Sequence, residues 1–463
     1  MKPRFEMPDN LYFGGGGDTA VTPLALAILI CGVLLILFLP RRYVIVPLLV
    51  VGLWLPVSVN ILVAGFHFYA LRVLLSAGCA RVLIRGEVRR LYMNTFDKVF
   101  LSWTLCSASM YCFLWGWAAV SNRLGFLYTT LGSYFLMRVL IRDKVDIRRV
   151  LATLAIALAL LAPFLLQEHL TGYNSLSILG ANAVSVPRNG GIRAQGPFLH
   201  PVICGTLGAM LLPAFMALWW QGKWNRLAAV VGVFASFTMM IFSSSSTPLM
   251  TFAAGLAGFL LWPARHSLRW LRWGLVAALI TIQLLMKAPV WYLLAHIGAA
   301  TGGSGYHRAT LIDTFVRHFS QWWLFGTQNN ADWGYYMWDV DNAFVASGLQ
   351  GGVLTFALFI AVFVFGFKMI GTARKRTETS TKDARLIWGI GCSLFANTVA
   401  FFGIFYFDQS ILAWYGLLAM ISAAGATIGV RSQKEISVVP ISSASRVLRP
   451  LESKIPTGAL FLR

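Results

Sequence analysis

Read for its apolar and polar positions, the chain is a series of long hydrophobic runs divided by short polar connections. Runs such as "AVTPLALAILICGVLLILFL" (20–39) and "LATLAIALALLAPFLL" (151–166) approach or reach the roughly 20 residues that carry a helix across a bilayer. Strands of a transmembrane barrel would instead alternate over about 10 residues. Spans are expected near 20–39, 43–63, 66–84, 98–118, 121–140, 149–166, 201–219, 227–242, 247–263, 272–288, 342–367, 386–404 and 408–429. That is about 13 spans, or 12 if "LWLPVSVNILVAGFHFYALRVLL" forms one span with a re-entrant piece and not two short spans. The pattern predicts an all-α, polytopic helical membrane protein. A mobile segment (1–19, with "GGGG" at 14–17) precedes a transmembrane domain (20–430), and a basic tail (431–463) follows it.

Composition agrees with that class. Of 463 residues 58% are hydrophobic and only 12% charged, with a mean hydropathy of +0.70. The net charge of +21 first suggests nucleic acid, but its distribution does not. "RGEVRR" (85–90), "RDKVDIRR" (142–149), "QGKWNR" (221–226), "ARHSLRWLR" (264–272), "KMIGTARKRTETSTKDAR" (368–385) and the tail fall on every second connection. Lys and Arg placed so hold loops in the cytoplasm, and no nucleic-acid partner is needed. A bacterial inner-membrane protein is expected, with its C-terminus cytoplasmic and two long periplasmic loops, 167–200 and 289–341. Arg72 and Arg138, near span ends, read as side chains snorkelling to the cytoplasmic surface. The six cysteines sit in or beside apolar runs without metal spacing and read as buried free thiols. The first apolar run begins late and ends in "PRRY", unlike a cleavable signal. No internal repeat of the kind common in transporters is visible, which counts against a flippase.

Chemistry is expected in the two long loops. The first ends "NGGIRAQGPFLHPVICGTLGAMLLP" (189–213), where Arg193 and His200 bracket a Gly-Pro turn. In the second, apolar residues at 311, 312, 315, 319, 322 and 323 predict an amphipathic helix over 306–323 lying along the membrane surface. Trp322, Trp323, Trp333, Tyr335, Tyr336 and Trp338 suit an interface belt, or a surface that stacks on sugar rings. Arg193 and Arg308 are candidate clamps for an anionic head group, since a guanidinium is always charged and forked for two-point contact. Arg317 is a weaker candidate because Asp313, four residues earlier, can pair with it. His200, His307 and Asp341 are candidate bases. His200 equally suits a helix cap, Asp341 equally suits the cap of the next helix, and His318 reads as surface. "DVD" (339–341) resembles a metal-binding acid pair but is common by chance, and Asp339 reads as a solvated charge. "SSSSTPLM" (243–250) reads as a short turn whose hydroxyls can line a cavity.

Three stretches together resemble the O-antigen ligase and O-antigen polymerase superfamily of bacterial inner-membrane glycosyltransferases. They are "RAQGPFLHPVICGTLGAMLLPAF" (193–215), "HRATLIDTFVRHFSQWWLFG" (307–326) and "VDNAFVASGLQGGVLTFAL" (340–358). The resemblance implies a C-type-glycosyltransferase-like fold with a large periplasmic loop containing amphipathic helices. It implies metal- and cofactor-independent transfer of a glycan from undecaprenyl diphosphate to a glycan or glycolipid acceptor, alongside other polysaccharide-assembly proteins. Carried over by position, Arg193 and Arg308, with Arg317 as a further candidate, would grip the donor pyrophosphate; Trp333, Tyr335 and Trp338 would stack on sugar. The chain departs from the pattern twice. Asp341 stands where members carry His before Asn, which favours a polymerase over a ligase. "SSSSTP" lacks the arginine that many members carry at a span start. A lipid-linked glycan transporter is the reading from another class.

Overall fold

The structure, a computed structural model, describes residues 20–63, 66–185, 187–188, 190–296 and 304–437. Residues 1–19, the expected mobile segment, and 438–463, most of the expected tail, lie outside the described residues. The described chain is mainly helical: α1 (Pro23–Phe38), α2 (Arg41–Trp54), α3 (Ala70–Ile84), α4 (Thr95–Trp115), α5 (Val120–Leu140), α6 (Lys144–Ala159) and α7 (Ala162–Thr171) come first. After them come α8 (Pro201–Ala217), α9 (Lys223–Phe242), α10 (Ser246–Leu260), α11 (Leu268–Leu285), α12 (Gly305–Arg317), α13 (Ala343–Arg376), α14 (Thr381–Ala400) and α15 (Ile411–Ser437). Among the described residues, six segments are long and apolar enough to cross a membrane: Thr95–Leu140, Lys144–Thr171, Pro201–Gln221, Lys223–Phe242, Leu268–Leu285 and Ala343–Arg376. Pro23–Phe38, Ser246–Leu260 and Ile411–Ala426 are apolar but shorter. This is the architecture of a helical membrane protein.

The sequence-based picture needs four corrections. First, the region 43–84, read as two short spans or as one span with a re-entrant piece, holds two short helices and strands between them. α2 has 14 residues, about 21 Å. Between α2 and α3 stands an antiparallel hairpin, Asn60–Val63 paired with Phe66–Tyr69 in the register Asn60↔Tyr69, so the chain is not wholly α. Aromatic and β-branched residues in "NILV" and "FHFY" favour the extended form there. Second, Arg138 does not snorkel but turns inward to Asp97, and Arg72 bonds the His67 carbonyl and Thr129, at the hairpin end of α3. Third, α15 continues to Ser437 and crosses the expected tail boundary. Fourth, only Cys204 and Cys392 are buried, and Cys31 is exposed.

At the centre lies α8, with every residue but Met216 buried, packed by α9, α10 and α14. A second centre holds α4, α5 and α15 together through one carboxylate. Asp97 accepts from Arg138 and Tyr134 on α5, from Ser422 on α15, and from the backbone of Asn94. Asn94 in turn caps α4. Both Asp97 and Arg138 are withdrawn from water, so neither charge has solvent to fall back on.

α13 is broken near its start, at Gly351 and Gly352, where Gly352 has φ 71°. The interrupted backbone finds partners in the preceding loop: Val353 N–H donates to the Trp323 carbonyl at 2.8 Å, and Thr327 N–H donates to the Leu349 carbonyl at 2.9 Å. A side chain at Gly352 would strike the Leu324 carbonyl, so both backbone angle and space call for glycine. The expected amphipathic helix forms as α12 followed by a one-turn helix, Phe319–Trp322. It packs into its own small core with Leu311, Phe315, Trp322, Trp333, Met337 and Val345. Trp322 and Trp333 are therefore core residues and not part of an interfacial belt.

The Asp97 network generates a stability prediction. Replacing Arg138 with Leu strands a buried carboxylate and is expected to cost about 3–5 kcal/mol. Denaturant unfolding in detergent, compared with wild type, measures it.

Candidate functional site

The segment 193–200, which leads into α8, is held by a set of buried hydrogen bonds. Glu168, fully buried on α7, accepts from the backbone N–H groups of Gln195 at 3.1 Å and Gly196 at 2.8 Å, and from the Ser185 hydroxyl at 2.6 Å. Asn174 donates to the Gly196 carbonyl at 2.6 Å, and Gln409 donates to the Pro197 carbonyl at 2.7 Å. Buried Asp408 takes the Leu199 N–H at 3.1 Å. Burial pushes the Asp408 carboxyl above its ordinary value, against the pull of the bonds from Ser410 and Leu199. The polypeptide that carries Arg193 is thus held by carboxylates and amides from two parts of the chain, 168–174 and 408–409.

Arg193 is 5% exposed. Its Nε donates to the Ser243 carbonyl at 3.2 Å and its Nη2 to the Ser245 hydroxyl at 2.6 Å. Burial, and secondarily Arg188, lowers its pKa to about 10, so it stays cationic at neutral pH. Arg308, on the first turn of α12, reaches the same serine turn. Its Nη1 donates to the Ser246 hydroxyl at 3.3 Å and its Nε to Asp341 Oδ2 at 3.0 Å. The serine turn of 243–246, read from sequence as a plain turn, is the meeting point of both arginines. Ser244 stands in the left-handed region at φ 44°, a cost that a non-glycine residue bears only where its surroundings impose it. The Arg308 guanidinium lies on Gly403, where an added Cβ would come within 2.9 Å of Cζ.

Asp341 answers to Arg308 and not to the helix it precedes. The α13 cap is Asn342, whose side-chain oxygen accepts from Phe344 and Val345 N–H. The carboxyl's second oxygen, Oδ1, is buried and has no hydrogen-bond partner among the described residues. Burial raises the Asp341 pKa, and Arg308 and His307 pull it down without offsetting that. A carboxylate with one oxygen fixed by arginine and the other free is a proton acceptor held at one point.

Two arginines not bound to each other, a strained serine turn and a half-satisfied aspartate come together from four parts of the sequence. Compared with protein-family models and with curated proteins, the chain matches none. Its site is therefore read from geometry.

The other candidates stand as follows. His200 caps α8: its Nδ1 accepts from Val202 N–H at 3.2 Å, and burial with Arg193 and Arg188 lowers its pKa to about 4. A lone pair engaged by a backbone N–H is not free to take a proton. His307 Nε2 donates to the Asp339 carbonyl at 3.0 Å, which fixes the loop before Asp341. Arg317 pairs with Asp313 at 2.6 Å and is 72% exposed, away from the arginine cluster. Trp333 is buried, with His318 stacked on its ring at 4.8 Å, so that face is closed to sugar. Tyr335 is exposed, and Trp338 packs against Tyr336, which has φ 57°. Among the described residues no three His, Cys, Asp or Glu side chains gather around one point. Sequence reading missed Glu168, Asn174, Asp408 and Gln409. The available signal was a carboxylate at the end of each of two apolar runs.

The division of labour between Asp341 and Asn342 is testable. Asn342→Ala removes a cap worth about 1 kcal/mol and should speed hydrogen exchange at the Phe344 and Val345 amides. Asp341→Asn should leave exchange at those two amides unchanged.

Proposed function

We propose that the protein is a glycosyltransferase. On this reading it moves a glycan from undecaprenyl diphosphate to an acceptor sugar at the periplasmic face, as a polysaccharide polymerase of the O-antigen ligase and polymerase superfamily. The observation that carries this reading is the convergence of Arg193 and Arg308 on one serine turn beside Asp341. The three stretches that resemble the superfamily, one of them about 90 residues before the other two, each contribute one member of that cluster.

The chemistry follows from the groups. The acceptor hydroxyl oxygen forms a bond to the anomeric carbon, whose bond to the diphosphate oxygen breaks. The hydroxyl proton passes to Asp341 Oδ1. Charge that builds on the departing diphosphate is met by Arg193 and Arg308, which are already desolvated and oriented, so little reorganisation accompanies the step. The serine turn, Asp341 and Gly403 hold the guanidinium groups before substrate arrives. A ligase acting on lipid A–core would use the same groups with a different acceptor; Asp341 in place of histidine favours the polymerase.

The test uses purified protein in nanodiscs with an undecaprenyl-diphosphate-linked glycan and EDTA, following release of undecaprenyl diphosphate. Arg193→Lys and Arg308→Lys keep the charge but lose the fork, and each is expected to lower the rate about 100-fold. Asp341→Asn is expected to lower it about 100-fold or more. Wild-type protein that is folded yet releases nothing with any acceptor overturns the proposal. Lengthening of the lipid-linked glycan selects polymerase over ligase.

The pH dependence has a defined sign. Asp341 must be ionised to accept a proton, and its pKa lies above the ordinary 3.8. The rate therefore falls on acidification through that raised value, before an unperturbed carboxylate would titrate. A rate profile of wild type against Asp341→Asn measures this, and the variant should lack that acid limb.

A further inference from the structure

α8, α10, α13 and α14 each have one end at the arginine site. Their other ends meet in a second cluster of arginines, here set among tryptophans. Trp262, just beyond α10, lies between two guanidinium groups: Arg265 stands 4.5 Å from its ring centre and Arg385 5.7 Å. Arg385 also covers Trp220, just beyond α8, at 4.2 Å. Arg374, in the last turn of α13, completes a small pocket of about 30 Å³ with Trp262, Arg265 and Glu378. That volume admits a water or one phosphate oxygen and excludes a sugar or a nucleotide base.

The charge in this pocket is unbalanced. Arg374 Nη1 is buried with no hydrogen-bond partner; Arg385, outside the lining but over the ring of Trp262 that forms one wall, has neither an acid nor a hydrogen-bond acceptor among the described residues. Glu378 is the one acid in the lining, and its carboxylate lies 3.6 Å from His266. A desolvated guanidinium N–H without an acceptor costs free energy that a bound anion recovers. Trp262 and Trp220 supply the flat amphipathic surface that tryptophan presents at a bilayer interface.

We propose that Arg265, Arg374 and Arg385, arranged about Trp262, bind the phosphate of an anionic phospholipid. The lipid's phosphate oxygens enter the pocket while its acyl chains run along the apolar flanks of α10 and α14. The chemistry recognised is a phosphate bearing net negative charge; the position, at the ends of apolar helices, assigns it to a lipid and not to a free ion. The proposal holds whether or not the transferase reading does.

The experiment measures thermal unfolding of delipidated full-length protein in detergent, titrated with phosphatidylglycerol, phosphatidylcholine or sodium phosphate. Native mass spectrometry counts retained lipid. Phosphatidylglycerol is expected to raise the unfolding temperature by several degrees, and phosphatidylcholine and sodium phosphate at equal concentration are not. Arg374→Gln and Arg385→Gln should each weaken the phosphatidylglycerol midpoint about tenfold. Arg226→Gln, which removes the same charge at the same end but lies over Trp219 and not Trp262, should not. Equal stabilisation by phosphatidylcholine, the same shift from sodium phosphate alone, or an equal loss in Arg226→Gln would each overturn the proposal.

Discussion

A guanidinium group taken out of water must be given oxygen acceptors, and a large part of this protein is organised by that requirement. Arg138 is answered by Asp97, which draws α4, α5 and α15 together. Arg81, also buried, is answered by Glu87 and by the Ile36 and Leu37 carbonyls at the end of α1, and Arg85 donates to the same Leu37 carbonyl, so two arginines close that helix terminus. Arg193 and Arg308 are answered differently. Their partners are serine hydroxyls, a carbonyl and half of one carboxylate, which hold the groups in place without neutralising both of them. Full neutralisation builds a scaffold, whereas partial neutralisation leaves positive charge unanswered at the serine turn.

Placing such a site at the ends of apolar helices requires irregular backbone, which is costly wherever water is scarce. The structure meets the cost locally. The break at Gly351 and Gly352 hands its unpaired groups to the loop 323–327, and the segment 193–200 hands its N–H groups to Glu168 and Asp408. Both arrangements fix the position of an arginine or of the aspartate beside it. The arginine cluster is thus positioned by groups that lie outside it.

The helical membrane character was legible because long uninterrupted apolar runs have few other solutions. Arg193, Arg308 and Asp341 were also legible as candidates, because charge at the mouth of an apolar run is costly and so rarely idle. The Arg317–Asp313 pair followed from helical spacing alone. Other readings failed for physical reasons. The hairpin at 60–69 was hidden inside a hydrophobic stretch in which strand and helix look alike. Asp341 and Asn342 are adjacent and both cap helices well, so only the direction of each side chain tells them apart.

What the chain determines by itself is therefore the solvent it folds in, the approximate places where helices run and the few charged residues that its apolar runs must accommodate. Those properties depend on composition over local windows. The tertiary structure decided which charges meet. Arg193 and Arg308 are 115 positions apart and share no local signal; they converge only because the serine turn before α10 is packed between them. Hydrogen bonds reach only a few ångströms, so partnership of this kind is settled by how helices pack and by nothing that a run of sequence records.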